Sequence, residues 1–427
     1  MNVLADKEGR PMDITARPLG VSRAMILISL SALFIFHGTA CSHGNSRPTS
    51  RSLYSLEGRT VFRTSLPGPR HQAVYSFGEN PPPGERIRVA NGTVAWLEDQ
   101  PGGPALAAWD GKIVQRYILH RQGFARNFKD SPGDNSREKA VPDVEDAFLD
   151  DFILSPDGTR LAWGVNITTG GTALGGGTFE QEFLVFLADP SGPIRRILRQ
   201  PYRVDSIFAD SWEKWRLRCW RRGTDQGMLV TRYHGGQLSD SEQGIYRLDS
   251  TDGKIVPLDE GIDKVIGFSE DGRLLAHTAN EESCCGGVNY TNNVVGVKDL
   301  STGKDRTIFD EWARFGNKPV DPGDVEKVEW EDYIPAAAFF SPGDVLVALS
   351  VGKWSFRHPG TARMLTFIIP LAGSGRELVL PDRSALGWLH DSALILTGGG
   401  STFLLDLTTG EETLLLKPPA VALEVAP

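Results

Sequence analysis

The stretch Leu154-Ser-Pro-Asp-Gly-Thr-Arg-Leu-Ala-Trp163 decides the fold, because the chain repeats its pattern. Phe268–His277 follows it position for position, and Phe340–Leu349 follows it with Gly and Asp exchanged. More degenerate copies are Val89–Trp96 and Trp388–Leu396. In each copy an apolar residue ends one strand, a pair such as Asp-Gly or Asn-Gly makes a tight turn, and an apolar run begins the next strand. The chain is therefore predicted to consist of repeated β units.

A second signature recurs later in each unit as Asp, three further residues and Gly. It reads Asp249-Ser-Thr-Asp-Gly253, Asp299-Leu-Ser-Thr-Gly303 and Asp406-Leu-Thr-Thr-Gly410, each between apolar runs. A strand, a Gly-containing turn and a strand make a β-hairpin. Two hairpins per unit form a four-stranded sheet, and such sheets repeated around an axis give a β-propeller. The sequence therefore predicts an all-β fold of the β-propeller class.

The spacing of these signatures predicts six four-stranded blades. Their expected spans are 86–118, 149–198, 203–258, 263–309, 326–380 and 384–416. An open ring would leave strand edges exposed. His71–Phe77 alternates in polarity, and it is expected to close the ring as an N-terminal strand on the last blade.

The pairing of Ser-Pro-Asp-Gly with a later Asp-Leu-x-x-Gly resembles the TolB-like propellers of the bacterial envelope over about Val89–Leu416. It is also similar to the propeller half of prolyl-oligopeptidase-type enzymes. The TolB-like resemblance implies a ring that presents one end to protein partners, where the long insertions 121–146 and 310–333 would lie. No binding residue can be transferred, because the matching motifs are turns and strand anchors.

The N-terminal segment Ala24–Cys41 is a short apolar run ending in small residues, with Arg17 and Arg23 before it. This pattern is typical of an export signal. Gly38-Thr-Ala-Cys41 resembles the lipobox of bacterial lipoproteins, although Gly38 replaces the usual apolar residue. Lipidation of Cys41 is therefore expected, at the periplasmic face of the outer membrane. Soluble secretion and an uncleaved or misread start are the alternatives.

These patterns divide the chain into four parts. They are a signal peptide (1–40), a tether and lead-in (41–70), the propeller (71–416) and a C-terminal tail (417–427). The formal net charge is −9, with 54 acidic and 45 basic residues, which argues against nucleic-acid binding.

Catalytic and metal-binding patterns are missing from the sequence. There is no Gly-x-Ser-x-Gly elbow, and the 8 histidines are not paired at ligand spacing. We therefore expect no catalytic, cofactor-binding or metal-binding residues. The cysteines Cys219, Cys284 and Cys285 leave three options open: a bridge from Cys219 to one of the others, a vicinal disulfide, or free thiols.

The predicted function is a non-catalytic envelope module that binds or scaffolds one or more envelope proteins and needs no cofactor. One alternative is a propeller enzyme of lyase, glycosidase or cyclase type with a site in the central channel. In that reading His277 is an inner-strand residue that faces the channel. The other alternative is a receptor for a glycan or peptide. Acidic residues and a histidine converging on the channel would favour an enzyme, whereas an apolar or plugged channel would favour a binding module.

Overall fold

A computed structural model describes most of the chain after residue 50. The described ranges are 51–66, 70–100, 103–119, 138–141, 148–170, 178–189, 194–205, 212–221, 227–235, 241–262, 264–280, 293–316, 331–355, 363–372, 375–418 and 420–426. The predicted signal peptide and Cys41 lie outside them. No helix in the described ranges combines the length and apolar character that crossing a membrane requires.

The structure is a β-propeller of seven blades, and each blade contains four antiparallel strands. The first three blades, with the innermost strand of each given first, are blade 1 (β29 Val421–Ala426, β1 Ser52–Glu57, β2 Thr60–Ser65, β3 Arg70–Ser76), blade 2 (β4 Ile87–Ala90, β5 Thr93–Gln100, β6 Gly103–Trp109, β7 Val114–Leu119) and blade 3 (β9 Phe148–Leu154, β10 Leu161–Gly170, β11 Thr178–Ala188, β12 Ile194–Asp205). Blade 2 has a fifth strand, β8 (Glu138–Val141), which pairs in parallel with β7.

The other four blades follow in chain order. They are blade 4 (β13 Trp212–Trp220, β14 Gly227–Gly235, β15 Ser241–Asp249, β16 Ile255–Asp259), blade 5 (β17 Lys264–Phe268, β18 Leu274–Asn280, β19 Asn293–Asp299, β20 Asp305–Asp310), blade 6 (β21 Glu331–Phe340, β22 Leu346–Ser355, β23 Arg363–Pro370, β24 Leu378–Pro381) and blade 7 (β25 Ser384–His390, β26 Ala393–Gly398, β27 Ser401–Asp406, β28 Glu411–Leu416). A short helix, α1 (Glu311–Phe315), follows blade 5, and a 3₁₀ turn (Gly84–Arg86) precedes blade 2.

The prediction of six blades is wrong, because blade 1 is assembled from both ends of the chain. The C-terminal strand β29 pairs with β1, with Leu53 opposite Val425, and this pairing closes the ring. Blade 1 lacks the Asp-Gly signature, and so the repeat pattern in the sequence does not reveal it. The segment His71–Phe77, predicted to close the ring, instead overlaps β3 at the outer edge of this blade. Strands β1 and β2 lie in the predicted lead-in, and β29 lies in the predicted tail.

The hydrophobic core lies between the blades. Seven clusters of buried apolar side chains are formed by the described residues, one at each interface between neighbouring blades. Trp163 is fully buried between blades 2 and 3, and Trp388 between blades 6 and 7. Trp215 and Trp220 pack between blades 3 and 4. Each sheet thus buries both faces against its neighbours.

The two sequence signatures form turns on one end of the ring, which we call the turn face. In the first signature, Ser155 Oγ donates to Asp157 Oδ1 at 2.5 Å and accepts the Arg160 amide at 2.9 Å. Ser269 makes the equivalent bonds to Asp271 and from the Leu274 amide, at 2.6 and 2.8 Å. These side chains satisfy backbone groups that the ladder leaves unpaired, and so they fix the turn.

The second signature also forms its turn by local hydrogen bonds. Gly253, Gly303 and Gly410 each donate their amide to the carbonyl of the Asp four positions earlier, at 3.0, 2.7 and 2.7 Å. At the opposite end of the ring, second strands connect to third strands and each blade connects to the next. We call that end the loop face.

Candidate functional site

The innermost strands of all seven blades converge on a central channel. At the end where these strands terminate, the channel contains a cavity of about 450 Å³ to which every blade contributes lining residues. We call it the turn-end cavity. Because the ring closes through β29, even the C-terminal strand contributes, through Val425.

The walls of the turn-end cavity are largely apolar. The apolar residues that line it are Val89, Ala90, Ile153, Leu154, Pro156, Trp220, Ile266, Phe268, Ala338, Phe339, Phe340, Leu386, Trp388 and Val425. Gly267 allows β17 and β21 to approach closely, because a Cβ at this position would lie 2.0 Å from the Ala338 carbonyl oxygen.

Arg51 crosses the mouth of the cavity. Its side chain is only 8% exposed. The guanidinium donates to the Trp388 carbonyl oxygen at 2.8 Å, and it forms an ion pair with the Glu270 carboxylate. These contacts connect blade 1 with blades 7 and 5. Arg51 thus bridges the channel where the described chain begins.

Two further arginines line the same cavity. Arg88 donates to the Ile87 carbonyl oxygen at 3.1 Å, and its guanidinium lies 5.3 Å from the centre of the Phe152 ring. Arg218 donates to the Val265 carbonyl oxygen at 3.2 Å, which connects blade 4 to blade 5. Glu270 is the one acidic side chain among the described lining residues, against three arginines. Basic residues therefore outnumber acidic ones among the described lining residues.

Cys219 also lines the cavity and is a free cysteine in the structure. Burial raises the pKa of its thiol to about 12, although Arg218 and Arg221 act in the opposite direction. The thiol therefore stays protonated near neutral pH, which makes it a poor nucleophile. Cys284 and Cys285 lie outside the described residues, so their pairing stays a prediction.

His277 does not line the channel. It lies on β18, the second strand of blade 5, and its Nε2 is 2.9 Å from Asp305 Oδ2. The expectation of an inner-strand position was wrong, because the strand before the Asp-Gly turn is the innermost one and the strand after it is the second.

The described lining of the turn-end cavity contains one carboxylate, which is paired with Arg51, and no histidine. No group of three His, Cys, Asp or Glu side chains in the described ranges is arranged to hold a metal ion. Arg51, Arg88, Arg218 and Glu270 are not among the site residues expected from the sequence. For Arg88, Arg218 and Glu270 a usable signal is their place in inner strands or in the turns that follow, whereas Arg51 precedes a second strand.

Comparisons with known proteins show similarity of fold. No protein-family model matches the chain, and no curated protein matches its sequence. The structure of the periplasmic gluconolactonase PpgL from Pseudomonas aeruginosa is similar at 12% identity and a TM-score of 0.42, covering 88% of this chain and 99% of that one.

Two further solved structures are similar in the same way. Apo AztD from Citrobacter koseri has 10% identity and a TM-score of 0.34, covering 87% of this chain and 98% of that one. A prolyl endopeptidase has 11% identity and a TM-score of 0.34, covering 79% of this chain but 49% of its own. At these identities the similarities concern the β-propeller fold alone.

Proposed function

We propose that this protein is a non-catalytic binding module of the cell envelope, in which a rigid propeller presents one face to a protein partner. The observation that carries this proposal is the composition of the turn-end cavity. Its single described carboxylate, Glu270, is held by Arg51. General acid–base catalysis uses groups whose protonation can change during the reaction. An ion-paired carboxylate and a thiol with a pKa of about 12 do not supply such a pair.

The loop face is the surface we assign to the partner. Helix α1 is firmly attached there, because the carboxylate of its first residue, Glu311, is fully buried. This carboxylate accepts hydrogen bonds from Asn293 Nδ2 at 2.7 Å and from the Tyr333 amide at 3.1 Å. A helix anchored in this way forms a rigid base for contacts.

Exposed apolar side chains lie on helix α1 and on the neighbouring start of β21. Phe315 is 37% exposed and stacks on Tyr333 at 3.8 Å, and Ile334, the next residue of β21, is 45% exposed. Exposed aromatic and aliphatic side chains on a rigid support are typical of protein-binding hot spots. The long insertion 310–333, predicted from the sequence to decorate the binding end, contains both α1 and the start of β21.

We further propose that the protein is exported and attached to the membrane through a lipid on Cys41. Cys41 precedes Arg51 by ten positions. Ten residues span at most about 36 Å when fully extended. The proposed anchor is therefore separated from the first described residue by only a short stretch of sequence.

Cross-linking of the tagged full-length protein in its native envelope tests the binding role. We expect one partner to be recovered repeatedly at near-equal abundance. Recovery of no partner, under conditions that capture a known envelope complex, would contradict the scaffolding role and favour the enzyme or glycan-receptor alternative. The anchor is tested separately with Cys41→Ala, which should move the protein from the membrane to the soluble fraction. The neighbouring substitution Ser42→Ala is the matched control and should leave it in the membrane.

A further inference from the structure

We infer that the turn-end cavity is a binding site for a small organic anion that carries a carboxylate or phosphate group. The inference rests on the charge, size and walls of the cavity and on the existing contact between Arg51 and Glu270. It does not depend on the protein partner proposed above. The cavity therefore adds a ligand site to the ring.

The charge of the lining favours an anion. Three of the residues that line the cavity are arginines, namely Arg51, Arg88 and Arg218, and only one of the described lining residues, Glu270, is acidic. Arginine stays protonated at all relevant pH values, and its planar donor array matches carboxylate and phosphate oxygens. Charges of one sign inside an apolar cleft concentrate their field, because the low-dielectric walls screen them poorly.

The size and walls of the cavity favour a small organic molecule. Its volume of about 450 Å³ lies within the range of ordinary small-molecule pockets. Phe268, Leu386 and Val425, which are only partly buried, line the cavity together with the arginines. Such walls would pack against the carbon skeleton of a ligand, whereas bare inorganic anions would leave them unused.

The contact between Arg51 and Glu270 shows how the ligand would be bound. Arg51 is nearly buried, and its guanidinium already holds a carboxylate at the cavity mouth. Glu270 belongs to the turn after β17, and its side chain is 29% exposed. A ligand carboxylate or phosphate could replace it, and Glu270 would then turn to solvent. Glu270 is therefore a competitor for the anion, and its removal should strengthen binding.

The test uses the tryptophan fluorescence of the mature protein, because Trp220 and Trp388 line the cavity. The probes are citrate and glycerol 3-phosphate, titrated at low ionic strength. We expect saturable binding of at least one probe. Arg88→Gln and Arg218→Gln should each weaken it about tenfold or more, since each removes a charged donor. Glu270→Gln should strengthen it severalfold, and the control Arg195→Gln, at an exposed arginine of β12 outside the cavity, should leave it unchanged.

Weaker probe binding by the arginine variants, together with stronger binding by Glu270→Gln, distinguishes ligand binding from a merely structural role. Arg218 also connects two blades, so Arg218→Gln can fail to fold, and Arg88→Gln and Glu270→Gln then carry the test. Two results would overturn the inference: no saturable binding of either probe, or weaker binding by Glu270→Gln alongside the arginine variants. Either result would leave the cross-linking test of the protein partner unaffected.

Binding to lipid vesicles shows whether the anion is a lipid headgroup or a free solute. The Cys41→Ala protein, which lacks the proposed anchor, is mixed with phosphatidylglycerol vesicles and, as a control, with phosphatidylcholine vesicles. Binding to the first kind alone, reversed by the soluble probe and reduced by Arg88→Gln, would assign a lipid headgroup. Binding of the soluble probe without vesicle binding would assign a free anion.

Discussion

The turn face and the loop face of the ring differ in how closely their sequences repeat from blade to blade. On the turn face, Ser155 and Ser269 make the same set of hydrogen bonds in two blades, and Gly253, Gly303 and Gly410 close equivalent turns. On the loop face, the connections differ in length and composition from blade to blade, from the pair Gly399-Gly400 to the segment 281–292. Local hydrogen bonding dictates the sequence of the first face, whereas the second is free to vary. The repeated motifs therefore indicate the fold, whereas binding residues are expected in the loops that differ between blades.

Ring closure is the feature whose loss should have the largest effect. Deletion of residues 418–427 removes β29 and its pairing with β1, so blade 1 loses its innermost strand. We expect the free energy of unfolding to fall by more than about 5 kcal/mol, which is enough to unfold a protein of ordinary stability. Urea titration followed by tryptophan fluorescence measures it.

Two substitutions within β29 refine this test. Val425 lines the turn-end cavity and lies close to Gly387, so Val425→Asp should destabilise the ring strongly. Val421, at the loop-face end of the same strand, is 51% exposed, and Val421→Asp should be nearly neutral. Equal effects of the two variants would show that β29 does not pack as described.

The next largest effect concerns the thiol inside the turn-end cavity. Because burial raises the pKa of Cys219 to about 12, its thiolate should be scarce. In a variant with Cys41, Cys284 and Cys285 changed to Ser, alkylation of Cys219 at about pH 8 should be on the order of a thousandfold slower than that of an ordinary thiol. The rate should keep rising with pH beyond about pH 10, where an ordinary thiol has reached its plateau. A plateau near pH 9 would mean that the thiol is exposed to solvent.

Two glycines in equivalent turns allow a matched test of whether the turns on the turn face contact the neighbouring blade. Gly253 and Gly303 occupy the same position and have φ angles of +71° and +70°. A Cβ on Gly253 would lie 1.7 Å from the Ile197 carbonyl oxygen of blade 3, whereas a Cβ on Gly303 meets nothing within 4 Å. We expect Gly303→Ala to cost about 1 kcal/mol, the usual penalty of a left-handed backbone, and Gly253→Ala to cost about 3 kcal/mol. Similar losses in thermal unfolding experiments would mean that the blades do not touch at this turn.

The smallest predicted effects on stability concern Asp299 and Asp344, which both form ion pairs with Arg273. Hydrogen bonding from Ser301, with help from Arg273 at 2.6 Å, lowers the pKa of Asp299. Burial, together with the nearby Asp271 and Asp391, raises the pKa of Asp344, although it lies 3.1 Å from the same guanidinium. The ionised form of Asp299 is thus favoured by folding, and the ionised form of Asp344 is disfavoured.

The two shifts give opposite signs in a pH titration of stability. Stability from Asp299 is present above the pKa of the unfolded state and is lost as the pH falls through its lower folded value. Stability from Asp344 is present at low pH and is lost as the pH rises through its higher folded value. At neutral pH, Asp299→Asn should destabilise by up to about 1 kcal/mol, and Asp344→Asn should be neutral or slightly stabilising. Urea midpoints between about pH 3 and pH 7 measure both, and the same sign for the two would contradict this reading.

Much of the fold could be predicted from the sequence because its turns are local. Asp157, Asp249 and Asp299 make their decisive hydrogen bonds within a few residues, so the pattern is visible in one window of sequence. Blade 1 could not be found in this way, because β29 and β1 lie at opposite ends of the chain. The contact of Arg51 with Glu270 has the same character, since nothing near either residue signals the other. His277 was misplaced because a turn motif alone does not tell which of its two strands is the inner one.

Site-specific photo-cross-linking from both faces tests the central claim most directly, namely that the partner binds the loop face. Ile334 and Val345 suit this comparison, because both are 45% exposed and they lie toward opposite ends of the β21–β22 hairpin. A photoreactive residue is placed at one position or the other in the full-length protein, which is then irradiated in its native envelope. We expect the residue at position 334 to capture the partner and the residue at position 345 to capture little. Capture from position 345 and not from position 334 would contradict the account.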